Sequence, residues 1–335
     1  MWILFLLIQI IVFRLIFKKL NLPSFICYLF IGILNGSNSL NLIPSFLTNS
    51  YGIVSLISLI IIFARASSQI KISLLNKNNS HIFFLSIIPG LFEVLSIFLL
   101  CMYLTPLNLH ESLMLGFIIT AVSPAVIVPL MIELQKQNIA EKKKIPSSIL
   151  AVSSLDDIIA IVGFSVVLSM YSGFDQSNYS SLFNVILILL IFILIRYIKE
   201  EKKVTVIENY FSKLWLIISI VLFILVGSFL DFKILTESGI IGILIVVVGI
   251  IFRSIGVIIC LINTQYSKME KLFFVVSLIP KATVQAALGA IPLSVMFKIG
   301  QCPTSGYWIL SIAMIAIIIT APLGSYLISI ISKKI

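Results

Sequence analysis

Two adjacent carboxylates, Asp156 and Asp157, lie in an apolar run at 148–170 that continues for thirteen residues beyond Asp157. An ionised carboxylate at the bilayer centre costs about 2.5–3.5 kcal/mol on insertion scales, so a pair at that depth marks a functional site. Successive helical residues diverge by about 100°, which sends the two carboxylates to different sides of one polar face. Ser153 and Ala160 extend that face at helical spacing, and Gly163 keeps it narrow. Such a stripe suits a wet cavity better than lipid. Three more ionisable residues interrupt apolar runs: Glu93, Arg253 and Lys281. Fully ionised, the five carry three negative charges and two positive, a net of −1. One proton or one monovalent cation neutralises the set, which is the arithmetic of one-for-one exchange. A guanidinium stays protonated at any cellular pH, so with Arg253 fixed as a cation the carboxylates carry the protons and the exchange moves no net charge. A rival reading, an intramembrane aspartyl protease, needs two aspartates on separate helices sharing one proton. Here they are neighbours, and no Gly-x-Gly-Asp occurs. The chemistry is that of a transporter, not an enzyme, and it calls for no cofactor.

The elements that must position these groups are membrane helices. The 335 residues are 60% hydrophobic and only 11% charged, against the ~25% charged of a soluble domain. Runs long enough to span, or nearly so, cover 2–17, 22–36, 51–64, 82–104, 112–133, 148–170, 182–198, 214–230, 239–262, 272–291 and 306–331. The expected fold is therefore an all-α polytopic membrane protein of about 11 transmembrane helices. The second run is short, with the uncharged 37–48 segment available to lengthen it. Residues 2–17 have neither a basic n-region nor a small-residue cleavage site, so they read as a first span. Sixteen lysines fall in loops after odd-numbered runs and only two, Lys233 and Lys298, in loops after even-numbered ones. By the positive-inside rule the N-terminus is outside or lumenal and the C-terminus cytosolic. The net charge of +10 is thus a topology signal and implies no nucleic-acid partner. The four cysteines show neither metal-ligand spacing nor a disulfide framework. His81 and His110, near span ends, read as solvated loop histidines.

Two spans are broken alike. The fifth carries Thr120-Ala121-Val122-Ser123-Pro124 and, five residues on, Pro129; the tenth carries Pro280-Lys281-Ala282-Thr283-Val284-Gln285, then Gly289 and Pro292. Proline inside a helix removes a hydrogen bond and clashes with the carbonyl four residues back. At membrane depth such freed backbone survives only inside protein or beside a water-filled cavity. Matching broken helices in the two halves of a chain point to a transporter site near the midplane. Each lies at the centre of a three-span unit, 82–170 and 239–331, and the two units enter the membrane from opposite sides, as inverted repeats do. Glu93 lies 31 residues before Pro124 and Arg253 lies 27 before Pro280, roughly equivalent places from which they can meet across the pseudo-symmetry axis.

These motifs resemble those of the cation/proton antiporters, and among them the NHA branch of sodium/proton exchangers. The matching stretches are Ala121–Pro129, Leu155–Phe164 around the aspartate pair, Pro280–Ala287 around Lys281, and, more weakly, Thr320–Ser325. The resemblance covers nearly the whole chain in two blocks, about 1–200 and 214–335. It implies an inverted-repeat antiporter fold with two broken, crossing helices, built from core transport repeats 82–170 and 239–331. Residues 1–65 and 214–230 would be scaffold helices on the dimer side, and 182–198 a linker helix. It further implies that Asp157 binds Na⁺ or Li⁺ in competition with protons, with Asp156 beside it as the second ion ligand and proton carrier. Arg253 is the facing cation and Glu93 its acidic partner, and Thr120 and Ser123 offer oxygens at the crossing. Implied partners are monovalent cations, protons, membrane lipid and a second copy of the chain. Two features depart from the family pattern. Between Met170 and Trp215 the chain is short by about 60 residues, two ~20-residue spans and their loops, which puts a dimer-side helix pair and hence the homodimer in question. The acidic residue that follows a small pair in the family, and pairs with the lysine of the second break, is here Phe229, leaving Asp231 as the nearest substitute for Lys281. A membrane protein that keeps this fold without transporting is the alternative reading.

Overall fold

The computed structural model describes residues 2–19, 22–69, 80–137, 139, 143–173 and 201–335. Its helices are α1 (Trp2–Lys19), α2 (Ser24–Asn35), α3 (Ser45–Asn49), α4 (Tyr51–Gln69), α5 (Ser80–Leu104), α6 (Leu109–Thr120), α7 (Pro124–Lys136), α8 (Ile145–Tyr171), α9 (Glu201–Ser228), α10 (Phe232–Leu261), α11 (Lys268–Ser277), α12 (Thr283–Leu288), α13 (Ile291–Lys298) and α14 (Thr304–Ile331). There is no strand among the described residues. Ten of the eleven apolar runs coincide with these helices; the run at 182–198 lies outside the described residues. Among the described residues, six helical stretches are long and apolar enough to cross a membrane: His81–Leu104, Leu109–Lys136, Ile145–Tyr171, Tyr210–Ser228, Phe232–Leu261 and Thr304–Lys334. The protein is an integral, multi-pass membrane protein.

Local chemistry sets the ends of the helices. Asn108 and Glu111 form a capping box at the start of α6, and Ser267 and Glu270 form another at α11. Asp231 caps α10 by accepting from the Lys233 and Ile234 amides. Pro124 and Pro146 sit in first turns, where a missing N–H costs nothing. The 37–48 segment does not lengthen the second span. α2 stops at Asn35, whose carbonyl accepts from the Leu42 and Ile43 amides, and the chain turns through Asn41 at a positive φ of 49° before the five-residue α3.

Two kinds of packing position the site. α2 and α9 meet backbone to backbone: a Cβ on Gly32 would stand 2.1 Å from the Ile224 carbonyl oxygen, and one on Gly227 2.3 Å from that of Leu29. Lipid tails are as apolar as leucine, so close approach through small residues is what draws membrane helices together. The three-helix units α5/α6–α7/α8 and α10/α11–α13/α14 meet mainly where α5 lies along α10. There a Cβ on Gly256 would come within 2.8 Å of the Pro89 Cα. Glu93 lies one turn beyond Pro89 and Arg253 one turn before Gly256, so this approach brings the two charges level. Gly163 serves neither aspartate; its bare Cα admits the Phe117 ring, which a Cβ would meet at 2.2 Å. Both histidines sit in first turns of helices and are half-buried. His81 Nε2 lies 3.3 Å from the Tyr266 hydroxyl, and the His110 ring neighbours Tyr171.

Candidate ion-binding site

The two breaks cross. Residues 121–123 separate α6 from α7 and residues 278–282 separate α11 from α12, and at their meeting the Ser123 amide donates to the Pro280 carbonyl at 2.8 Å. The helix end at α6 leaves its last carbonyls without intrahelical partners. Side chains of the second unit supply them. Gln285 Nε2 donates to the carbonyls of Ile118 (2.8 Å), Ile119 (3.2 Å) and Ala121 (2.8 Å). Arg253 Nη1 and Lys281 Nζ both donate to the Thr120 carbonyl, at 2.7 and 2.9 Å. Positive charge at this end also complements the negative pole of the α6 dipole. The second break is seated on α14: the Lys281 amide donates to Thr320 Oγ1 at 2.8 Å, and Gly324 leaves room for the Pro280 ring, which a Cβ would meet at 2.3 Å. The weakest of the four sequence motifs, Thr320–Ser325, thus owes its pattern to holding that break.

Four of the five charges expected at membrane depth form one closed set. Glu93 Oε2 accepts from Arg253 Nη1 at 2.6 Å and from Lys281 Nζ at 2.9 Å. Arg253 Nη2 donates to Asp156 Oδ2 at 2.8 Å, and the Val122 amide donates to the same oxygen at 3.2 Å. A Cβ on Gly90 would meet Asp156 Oδ1 at 2.9 Å, so that glycine leaves space for the carboxylate. The set, two carboxylates and two cations, sums to zero. Sequence reasoning left Asp231 as the substitute partner for Lys281. Asp231 is instead occupied at the head of α10, and Lys281, held at mid-span by the break, reaches Glu93. Thr120, expected to offer an oxygen at the crossing, has both oxygens engaged: its carbonyl as above, and its hydroxyl 3.1 Å from the Gly90 carbonyl and 3.2 Å from Glu93 Oε2. Ser153, expected on the polar face, returns its hydroxyl to the Leu150 carbonyl within α8.

Asp157 stands apart. It is 0% exposed, and neither carboxylate oxygen has a hydrogen-bond partner. The hydroxyls of Ser123 and Thr283 and the carbonyl oxygen of the Gln285 side chain are likewise buried without partners. Four residues of this region escaped sequence reasoning as site members: Gln285, Thr283, Thr320 and Tyr51. The first two lie inside the motif around Lys281, and a glutamine in an apolar run was itself a signal. Tyr51, at the head of α4, had none. Its hydroxyl lies 2.9 and 2.8 Å from the Ala286 and Ala287 carbonyls and accepts from the Ala290 amide at 3.3 Å, tying α4 to α12.

A profile of the transmembrane sodium/hydrogen exchanger family matches residues 3–200. Sodium/hydrogen exchanger 9B2 of Bison bison bison is 28% identical over 341 residues, covering 83% of this chain and 63% of that relative. Sodium/hydrogen exchanger 9B1 of Homo sapiens is 27% identical over 338 residues, covering 83% and 65%. The chain therefore spans just under two-thirds of the length of these relatives. The structure of the sodium proton antiporter MjNhaP1 from Methanocaldococcus jannaschii at pH 8 is similar in fold, with a TM-score of 0.75 at 21% identity over 100% of this chain and 98% of that one. The shared fold, and a family profile that runs over more than half of the chain, lead to one conclusion: this protein belongs to the sodium/hydrogen exchanger family.

Proposed function

We propose that the protein is a secondary active antiporter that exchanges Na⁺ or Li⁺ for H⁺ at Asp157, one for one and without net charge movement. The observation that carries this reading is the division of the five charges at the crossing: four neutralise one another, and Asp157 alone has neither a direct ion pair nor a hydrogen bond. A buried, unpaired carboxylate is costly until something neutralises it. A proton does so by covalent attachment, and a small hard cation by coordination through oxygen. Only one of them can occupy the carboxylate, so the two compete. Occupied, the site is neutral overall; empty, it carries −1. A charge moving through a low-dielectric barrier meets a far higher cost than a neutral site, so the loaded states are the ones that reorient. Coupling follows: a cation carried one way is answered by a proton carried the other.

In this reading the core is formed by residues 82–170 and 239–331 and moves against a scaffold of 1–65 and 214–230, with the N-terminus outside and the C-terminus in the cytosol. Asp156, held by Arg253 and the Val122 amide, fixes the position of Asp157 next to it and is a supporting group. The test is exchange by purified protein in liposomes, read as a cation-driven pH change inside. Asp157→Asn is expected to abolish exchange while the protein remains folded in the membrane. Near-normal exchange by that variant overturns the assignment.

A further inference from the structure

Four residues beside the crossing carry buried oxygens without partners: Asp157, Ser123, Thr283 and Gln285. Asp157 follows Asp156, whose carboxylate receives the Val122 amide. Ser123 is the next residue after Val122, and its own amide bonds Pro280. Thr283 is two residues beyond Lys281, whose ammonium reaches Thr120. Gln285 bonds the Ala121 carbonyl directly. Ser123, Thr283 and Gln285 are therefore within two positions of a contact that joins the two broken helices, and Asp157 is next to a residue bonded to the first break. All four are at most 1% exposed. Buried side-chain oxygens are nearly always hydrogen-bonded, so five that are not, the two of Asp157 and one each from Ser123, Thr283 and Gln285, point to a ligand bound through oxygen; Glu93 Oε1 is also unpartnered, but its carboxylate already faces Arg253 and Lys281.

Gln285 is the informative member. Three carbonyl acceptors fix its Nε2 end, which sets the amide orientation and leaves Oε1 as the free acceptor. We infer that Thr283 and Gln285, from the second repeat, complete the Na⁺ or Li⁺ coordination shell begun by Asp157 and Ser123 in the first, so that the cation bridges the repeats. This rests on the antiport reading and adds to it the residues that set cation affinity and selectivity. A hard cation of this size prefers several neutral oxygen dipoles around one carboxylate, and selectivity between a smaller and a larger ion follows from the number and placement of those oxygens. A proton on Asp157 needs none of them. Thr283 and Gln285 should thus weigh on the cation side of the competition and hardly on the proton side.

The experiment uses the full chain in liposomes, with half-saturating Na⁺ and Li⁺ and the pH profile of exchange measured separately. Thr283→Val, which keeps the shape and removes the hydroxyl, is expected to raise half-saturating Na⁺ about tenfold, the loss of one ligand-scale interaction. Maximal rate should change much less, and Thr283→Ser should restore affinity to within about threefold of the parent. Gln285→Asn withdraws the oxygen by one methylene and is expected to shift the Li⁺/Na⁺ affinity ratio by about fivefold or more. If Gln285→Asn does not fold, the Thr283 pair decides alone. Half-saturating concentrations within about twofold of the parent in Thr283→Val overturn the inference while leaving antiport at Asp157 intact. Absence of any cation-driven proton movement in the unaltered chain overturns the antiport reading beneath it, and this inference with it. Cation-dependent thermal stabilisation of purified protein gives the same comparison without transport: Thr283→Val should need about tenfold more Na⁺ for an equal rise in melting temperature.

Discussion

At the scale of single residues, Glu93 carries more of the site than its sequence position suggested. Expected as the partner of Arg253 alone, it holds Arg253 and Lys281 on one carboxylate oxygen. The two cations are not equivalent. Arg253 also has Asp156, whereas Lys281 has no second carboxylate partner among the described residues. Removing one member of a buried ion pair typically costs about 3–5 kcal/mol, because a charge is left uncompensated. Glu93→Ala should therefore destabilise the protein strongly, and in that background Lys281→Met should recover more than Arg253→Leu, which newly strands Asp156. Thermal unfolding in detergent measures Glu93→Ala, the two double variants, and Lys281→Met and Arg253→Leu alone. Losses that simply add, within about 0.5 kcal/mol, show that the residues do not interact.

At the scale of elements, the second broken helix depends on α4 as much as on its own sequence. In a continuous helix the Ala290 amide would bond the Ala286 carbonyl. Here the Tyr51 hydroxyl stands between them, bonded to both, and the Ser55 hydroxyl donates to the Ala287 carbonyl at 2.5 Å. Insertion of a side chain into the i→i−4 ladder is a recognised cause of a sharp kink. Pro292 contributes the other cause, since it has no N–H for the Leu288 carbonyl. Tyr51→Phe keeps the ring, which packs edge-on against Phe229, and strands buried backbone groups. It should cost about 1–3 kcal/mol, visible as a lowered melting temperature in detergent. An unchanged melting temperature means that α12 holds its kink without the hydroxyl. The sequence showed both breaks through their prolines, and missed Tyr51 because a tyrosine at the head of a span is unremarkable until the fold sets it against a helix 235 residues away.

At the scale of the whole molecule, the charge arithmetic predicts how membrane potential acts. In the proposed exchange the site alternates between Asp157 protonated and Asp157 with one bound cation, and the other four charges cancel in both states. Moving one elementary charge across 100 mV is worth about 2.3 kcal/mol, so an exchanger that carries net charge must respond to a clamp of that size. The expected outcome is no response: Na⁺-driven proton movement in liposomes should keep its direction and equilibrium under a potassium–valinomycin clamp. A shift with potential means that a second proton moves, and Lys281 would be its source, since a lysine yields its proton where an arginine does not.

What the sequence determined by itself was everything that depends on periodicity and on the cost of polar groups in lipid. The spans follow from runs of apolar residues, their breaks from proline, and the five candidate charges from the expense of burying each one. The equivalent placing of Glu93 and Arg253 in two repeats was legible too, and they meet at 2.6 Å. Which charge is paired with which was not legible, because it depends on how two helices lie against each other and on which groups a break exposes. Only the tertiary structure assigned Lys281 to Glu93, with Asp231 kept at the head of α10. It engaged both Thr120 oxygens with the charges. It also left Asp157, Ser123, Thr283 and Gln285 with free oxygens at the crossing. The physical reason is one of range: burial and helix breaking act over a few residues, while the partner of a buried charge is chosen among groups brought together from across the chain.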